Sequence, residues 1–315
     1  MDQQVKMIPQ RDGYGKGLLE LCKTEEKVMV LDADVSASTR TAWVAKEYPE
    51  HFQNVGISEQ DLVGTAAGLA LGGMTPFVST YGVFLSGRAW DQIRTTVCYN
   101  KLNVKFGGAH AGISVGPDGA THQALEDIAI TRVLPNMTVI APCDWQETKK
   151  AVLAAAKWDG PVYIRFGREA VPEITDENSP FEIGKAQVLR DGKDAVIFAC
   201  GALVYEAMKA ADTLAAENIS CRVVNLHTIK PIDEACILES VRQCGAVVTA
   251  EEHQIHGGMG SAVAEVLALH CPAPMEMVAV NDRFGQSGQP EELMEMYGLT
   301  AKDIVAAVKR VIERK

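Results

Sequence analysis

Three stretches of the sequence gather residue types that can do chemistry. The segment GGAHAGISVGPDGATHQALEDIAI, residues 107–130, sets His110, Asp118 and His122 in a glycine-rich loop. Two histidines and an aspartate could ligate a metal, but their spacing matches no compact metal motif. In a flexible segment at the edge of a sheet, they suit contacts to substrate hydroxyls or a phosphate. The segment FVSTYGVFLSGRAWDQIRTTV, residues 77–97, brings Tyr81, Phe84 and Trp90 to a strand-to-helix junction, where α/β proteins bind ligands. Arg88 and Asp91 lie three residues apart there and could simply pair on a helix surface. In NVGISEQDLVGTAAGLALGG, residues 54–73, Ser58 is an N-cap and Glu59 follows in the first helical turn. Taken alone, Glu59 is a carboxylate stabilised by the helix dipole. Gly64, Gly68 and Gly72 share one face of that helix and predict a close helix–helix contact, within the chain or between subunits. A fourth segment, HGGMGSAV at 256–263, resembles a phosphate loop but has no Lys after its last Gly, and reads as a tight turn.

Short apolar runs position these residues. VMVLDAD, TPFVST, NVKFGG, MTVIAP and PVYIRF read as buried strands, with helices expected near 58–71, 84–99, 121–131 and 144–157. Strands alternating with helices predict an α/β fold with a mostly parallel sheet flanked by helices. The polar, acidic stretch REAVPEITDENSPF, from Arg168 to Phe181, reads as an interdomain linker. Beyond it AVIFAC, CRVVNL, AVVTAE and MEMVAV begin a second, smaller domain of the same class. The expected division is residues 1–170, a linker at 171–183, and residues 184–315. The chain of 315 residues is long enough for two separate cores.

Composition narrows the function. The formal net charge is −11 and no basic stretch stands out, which argues against a nucleic-acid partner. No charge occurs from Leu62 to Gly87, yet Gly72-Gly73, Pro76 and Ser79-Thr80 cut that stretch into a helix, a turn and a strand, so a membrane span is not expected. The first ten residues lack the apolar run of a secretory signal. Eight scattered cysteines form no CxxC pair, and a reducing, cytoplasmic setting is expected.

Together these blocks resemble the second half of a transketolase. NVGISEQ is similar to the family segment whose Glu bonds the aminopyrimidine ring of thiamine diphosphate, and RAWDQIR to the helix beside that ring. HAGISVGPDGATHQALEDIAI resembles the family's substrate loop. The resemblance implies that Glu59 bonds the ring nitrogen N1′, and that Tyr81 and Phe84 pack on the pyrimidine with Arg88 nearby. It implies that Asp118 contacts a substrate hydroxyl and that His122 lies near the reacting centre. Arg11, Ser38, His110 and Arg168 match positions that hold the sugar phosphate, a task suited to Arg. Asp34, in LDADVSAST, matches an acidic position near the cofactor.

One family feature is missing. Transketolases hold the cofactor diphosphate through a metal, Mg2+ or Ca2+, using a GDG segment followed by an Asn, and no GDG occurs here. The resemblance therefore implies an N-terminal partner subunit that carries that motif, an α2β2 assembly, and transfer of a two-carbon ketol unit between phosphorylated sugars, as in the pentose phosphate pathway. A 1-deoxyxylulose-5-phosphate synthase and the β subunit of a 2-oxoacid dehydrogenase E1 component share the architecture. ALEDIAITR looks more like transketolase than the former, and the latter would not need Arg11, His110 and Arg168. Outside catalysis the rival is an α/β assembly protein, against which the joint presence of Glu59, Asp118 and His122 argues.

Overall fold

The computed structural model describes residues 6–315. Strands β1 (Met7–Pro9), β2 (Val28–Asp32), β3 (Phe52–Asn54), β4 (Thr75–Tyr81), β5 (Lys105–Ala109), β6 (Thr138–Ile140), β7 (Val162–Arg165) and β8 (Ala170–Pro172) lie in the first half. The second half holds β9 (Gln187–Arg190), β10 (Ala195–Ala199), β11 (Cys221–Asn225), β12 (Thr228–Lys230), β13 (Val247–Gln254) and β14 (Met275–Val280). Seven strands form one sheet in the order β12-β6-β7-β5-β4-β2-β3, and five form another, β14-β13-β10-β11-β9. Every pairing in the large sheet is parallel except β12 with β6, and only β9 is antiparallel in the smaller one. The expected α/β class with mostly parallel sheets is what forms. Val, Ile and Phe dominate these strands because helices cover both faces.

Two expectations give way to tertiary contacts. The cores are not separate, because β12 belongs to the second half yet completes the edge of the first sheet. One apolar cluster consequently joins Leu62, Val78 and Val139 to Phe198, Val224 and Met259. The stretch after Arg168 is not simply a polar connector either. Ala170–Pro172 pairs with β1, and Asp144 accepts from the amides of Ile174 and Thr175 at 2.8 and 2.6 Å.

Helix α1 (Gln10–Thr24) has no counterpart in the sequence reading. Gly13, Gly15 and Gly17 lower its intrinsic helix propensity by about 1 kcal/mol each relative to Ala. Packing explains them. A β-carbon on Gly13 would lie 1.9 Å from the Trp145 carbonyl oxygen, and one on Gly17 2.8 Å from Val152, both residues of a later helix (Trp145–Lys157). Close backbone approach there fixes the start of α1, which carries Arg11. Next come α2 (Ser36–Thr39), α3 (Ala42–Glu47) and α4 (Glu59–Leu71). Gly64 and Gly68 of α4, by contrast, meet nothing within 4 Å among the described residues, and Leu71 is exposed, so the glycine face expected to make a close contact makes none with them.

These two glycine sets predict opposite responses. Gly13→Ala should destabilise the isolated chain by about 1–3 kcal/mol through overpacking. Gly68→Ala should stabilise it by up to about 1 kcal/mol, because helix propensity rises and nothing is displaced. Urea unfolding of both variants checks this, and equal effects would refute the assignment.

The helix expected across 84–99 is broken. It comprises α5 (Gly82–Arg88) and a π-helical stretch, Gln92–Cys98. The helix expected from 121 begins only at Asp127, as α6 (Asp127–Arg132), because residues 119–126 turn back so that Ala124 bridges Ala111. The remaining helices are α7 (Trp145–Lys157), α8 (Leu203–Ala216), α9 (Glu234–Cys244), α10 (Met259–His270), α11 (Pro290–Met296) and α12 (Ala301–Ile312). Among the described residues no helix is long and apolar enough to cross a membrane. All eight cysteines are free.

Candidate active site

The sequence-predicted residues collect at the C-terminal ends of β2, β3, β4, β5 and β7, the edge where open α/β sheets bind ligands. Glu59 opens α4 and is 5% exposed. Its carboxylate oxygens lie 3.2 and 3.4 Å from Nη1 of Arg88, at the end of α5. The Arg88 guanidinium also covers the Phe84 ring at 4.2 Å. Arg88 is itself half exposed, so it can turn into solvent and leave the buried Glu59 carboxylate to a ligand that replaces it as partner.

Phe84 continues the cluster inward. Its ring centroid is 5.2 Å from that of His122, which lies 5.9 Å from Tyr81. Tyr81 stacks on His110 at 4.3 Å, and its hydroxyl donates to Oγ of Ser38 at 3.1 Å. Nη1 of Arg11 donates to the Ser38 carbonyl at 3.3 Å. Glu59, Arg88, Phe84, His122, Tyr81, His110, Ser38 and Arg11 thus form one continuous run of contacts. Asp118 pairs instead with Arg168 at 3.3 Å.

His110 sits just past β5 with a left-handed φ of 57°. Burial first, then the positive charges of Arg11 and Arg168, push its pKa down to about 3, so the ring is neutral at physiological pH. Its Nδ1 and the Nε of Arg11 are buried and have no hydrogen-bond partner among the described residues. Unpartnered groups of this type beside Arg11, Arg40 and Arg168 suit an anionic ligand.

Asp34, singled out from the sequence, stands apart from this run: it is exposed and accepts from Asn54 at 2.9 Å. The structurally central acid is Asp32, two residues earlier and fully buried. It accepts from the Val35 amide and from the hydroxyls of Thr39 and Thr41 at 2.7–2.9 Å, which shapes the turn holding Ser38. Burial raises its pKa while those donors oppose the rise. A charged residue ending the apolar run VMVLD was the signal available for it. Arg40 was also missed. Its Nε is 2.7 Å from Asp12, and it adds to the positive field around His110.

HGGMGSAV is a turn into α10, and not a phosphate loop. The amides of Met259 and Gly260 already donate to Glu251 at 2.7 and 2.8 Å, so a protein carboxylate fills the anion position. Among the described residues, no group of three or more His, Cys, Asp or Glu gathers as a metal ligand set.

The transketolase pyrimidine-binding-domain model matches residues 6–173, and the transketolase C-terminal-domain model matches residues 184–304. A transketolase C-terminal section from Methanocaldococcus jannaschii is 48% identical over 306 residues, covering 96% of this chain and 95% of that protein. A 6-deoxy-6-sulfo-D-fructose transketolase subunit of a Clostridium species is 43% identical over 305 residues, covering 97% of this chain and 95% of its own length. The solved structure of a split-gene transketolase, an inactive β4 tetramer, superposes with a TM-score of 0.92 at 51% identity, covering 97% of this chain and 99% of that one. The fold, the buried first-turn glutamate and these matches along nearly the whole sequence lead to one assignment: the chain belongs to the transketolase family and carries its pyrimidine-binding and C-terminal domains.

Proposed function

We propose that this chain is the C-terminal subunit of a split transketolase that moves a two-carbon ketol unit between sugars, and that it acts with a GDG-bearing N-terminal subunit. The observation that carries the reading is the continuous run from buried Glu59, through Phe84, His122 and Tyr81, to His110 and Arg11. It offers a buried carboxylate beside an aromatic wall at one end and unpartnered anion-seeking groups at the other. Residues 1–170 would form the pyrimidine-binding part and 184–315 the C-terminal part, joined by 171–183.

Those features fit thiamine diphosphate. When bound, it supplies a carbon nucleophile able to take up the two-carbon unit. Glu59 would hold a proton at N1′ of the pyrimidine, while Tyr81 and Phe84 would wall the ring and Arg88 would give up its place on Glu59. Asp34 would border the cofactor from the β2 end. The diphosphate and its Mg2+ or Ca2+ would be held by the partner subunit.

On the substrate side, His122 would face the reacting carbon and Asp118 would orient a hydroxyl. Arg11, Ser38, His110 and Arg168 would receive the terminal anion, with neutral His110 acting through hydrogen bonds. A sugar phosphate fits this set, and so does a sulfonated sugar. The substrate class is therefore an anionic ketose and aldose.

The test uses the assembled pair. Arg168→Ala should raise KM for a phosphorylated ketose roughly ten- to a hundredfold, the effect of losing one charge-assisted hydrogen bond of about 1.5–3 kcal/mol. The kcat should change little, because the anion is held alike before and during reaction. Loss of kcat at unchanged KM would remove Arg168 from the anion site. Absence of ketol transfer from any anionic ketose by the wild-type pair would overturn the function.

A further inference from the structure

The loop that carries Asp118 and His122 is tied down by the other domain. Gly112, Gly116 and Gly119 all have left-handed φ, at 92°, 78° and 74°, and each turns its bare α-carbon toward residues of the second half. A β-carbon on Gly112 would lie 2.3 Å from the Glu252 carboxyl group. One on Gly116 would lie 3.2 Å from Pro290, and one on Gly119 2.6 Å from the Ser287 hydroxyl. Gln123 extends the junction, donating to both the Ile113 and the Gln286 carbonyls at 3.0 Å. The expectation of a flexible segment is thereby corrected: the glycines allow interlocking.

Glu252, on β13, is the only acid in this junction whose carboxylate reaches the loop backbone among the described residues. It is buried and accepts from the Ser114 amide at 2.5 Å. Its own carbonyl accepts from Nη2 of Arg165 at 2.7 Å, and the same nitrogen donates to Ala124 at 3.1 Å, just after His122. Arg165 is in turn fixed by buried Asp127 at 3.0 Å. Ile113 and Val115 of the loop are buried, and beside Ser114 and Glu252 lies a cavity of about 660 Å³ lined also by Phe166, Tyr205 and Met294. Burial holds Ile113 and Val115, while the directed bond to Glu252 fixes the backbone at Ser114 between them.

We infer that Glu252 of the C-terminal domain is a positioning residue for the substrate loop, setting the places of Asp118 and His122 through the Ser114 amide. The inference rests on the proposed reading in which those two side chains meet the sugar. It gives the C-terminal domain a task in sugar recognition, although Glu252 itself touches neither sugar nor cofactor. The carboxylate is needed as an acceptor, so an amide of the same shape does most of the work.

Two measurements on Glu252→Ala and Glu252→Gln test this. In the isolated chain, amide hydrogen exchange across residues 112–119 should rise roughly ten- to a hundredfold in Glu252→Ala, the loss expected for a charge-assisted bond, and return toward wild type in Glu252→Gln. In the assembled pair, kcat/KM for the sugar should fall over a similar range in Glu252→Ala. The affinity for thiamine diphosphate and the exchange of its C2 proton should stay near wild type. If Glu252→Ala does not fold, Glu252→Asp provides the same test, because the side chain shorter by one methylene draws the carboxylate back from the Ser114 amide without altering the loop backbone. Wild-type amide exchange in the variant would overturn the inference. So would a fall in C2 exchange matching the fall in turnover. Faster loop exchange, with no sugar transfer even by the wild-type pair, would leave the clamp standing and overturn the proposed function instead.

Discussion

Glu59→Gln in the assembled pair is expected to slow exchange of the cofactor's C2 proton by orders of magnitude, with kcat falling alongside. The substitution keeps the size of the side chain and an oxygen able to accept a hydrogen bond. It removes the carboxylate that would share a proton with N1′. Burial sharpens the effect, since Glu59 is 5% exposed and its charge is little screened by solvent. The neighbouring Arg88 cannot substitute, because a guanidinium stays protonated and offers no acceptor. Thiamine diphosphate should still bind, more weakly. Hydrogen–deuterium exchange at C2 under saturating cofactor is the measurement. A wild-type rate would reduce Glu59 to a helix-capping carboxylate that happens to pair with Arg88.

The second large effect is all-or-none. This chain without its partner should show no ketol transfer, and addition of a GDG-bearing subunit should restore it. The motive lies in the sequence, which holds no GDG segment, the part of the metal–diphosphate motif that the resemblance to transketolases assigns to a partner subunit. Active material should be α2β2, with an obligate interface exceeding about 2,000 Å². The open Gly64 and Gly68 face of α4, with exposed Leu71 at its end, is positioned to contribute. Native mass of the active pair decides the stoichiometry: a 1:1 heterodimer at micromolar concentration would contradict it. Robust turnover by the partner-free chain would refute the split arrangement altogether.

The local part of this protein was legible before any fold was known. The α/β class followed from short apolar runs such as VMVLD and PVYIR alternating with helical patterns, because buried parallel strands have no other efficient composition. Glu59 and the Tyr81–Phe84 pair were visible as residues at a helix start and a strand end, but only the resemblance to a family gave them expected roles. Helix α1 was not visible. Three glycines argue against a helix on propensity, and the reasons for them lie elsewhere in the chain: Gly13 and Gly17 approach Trp145 and Val152, and Gly15 approaches Arg40 and Trp43.

The same distance problem hid the rest. The sequence reading named Asp34 and passed over Asp32, and burial with its hydrogen bonds marks Asp32 as the acid that organises the Ser38 turn. The division into two cores looked secure until β12 crossed to the first sheet, a pairing that three residues, TIK, cannot announce. The loop at 112–119 was legible as chemistry but not as mechanics. Its residue types and their spacing were written locally, so sequence alone determined that Asp118 and His122 are present and near each other along the chain. Where they stand depends on Glu252 and Gln286, over 100 residues further on, and that only the tertiary structure decided. Residue identity and short-range geometry are local properties of a polypeptide. Burial, long-range hydrogen bonding and the neutral state of His110 arise only when distant segments exclude water together.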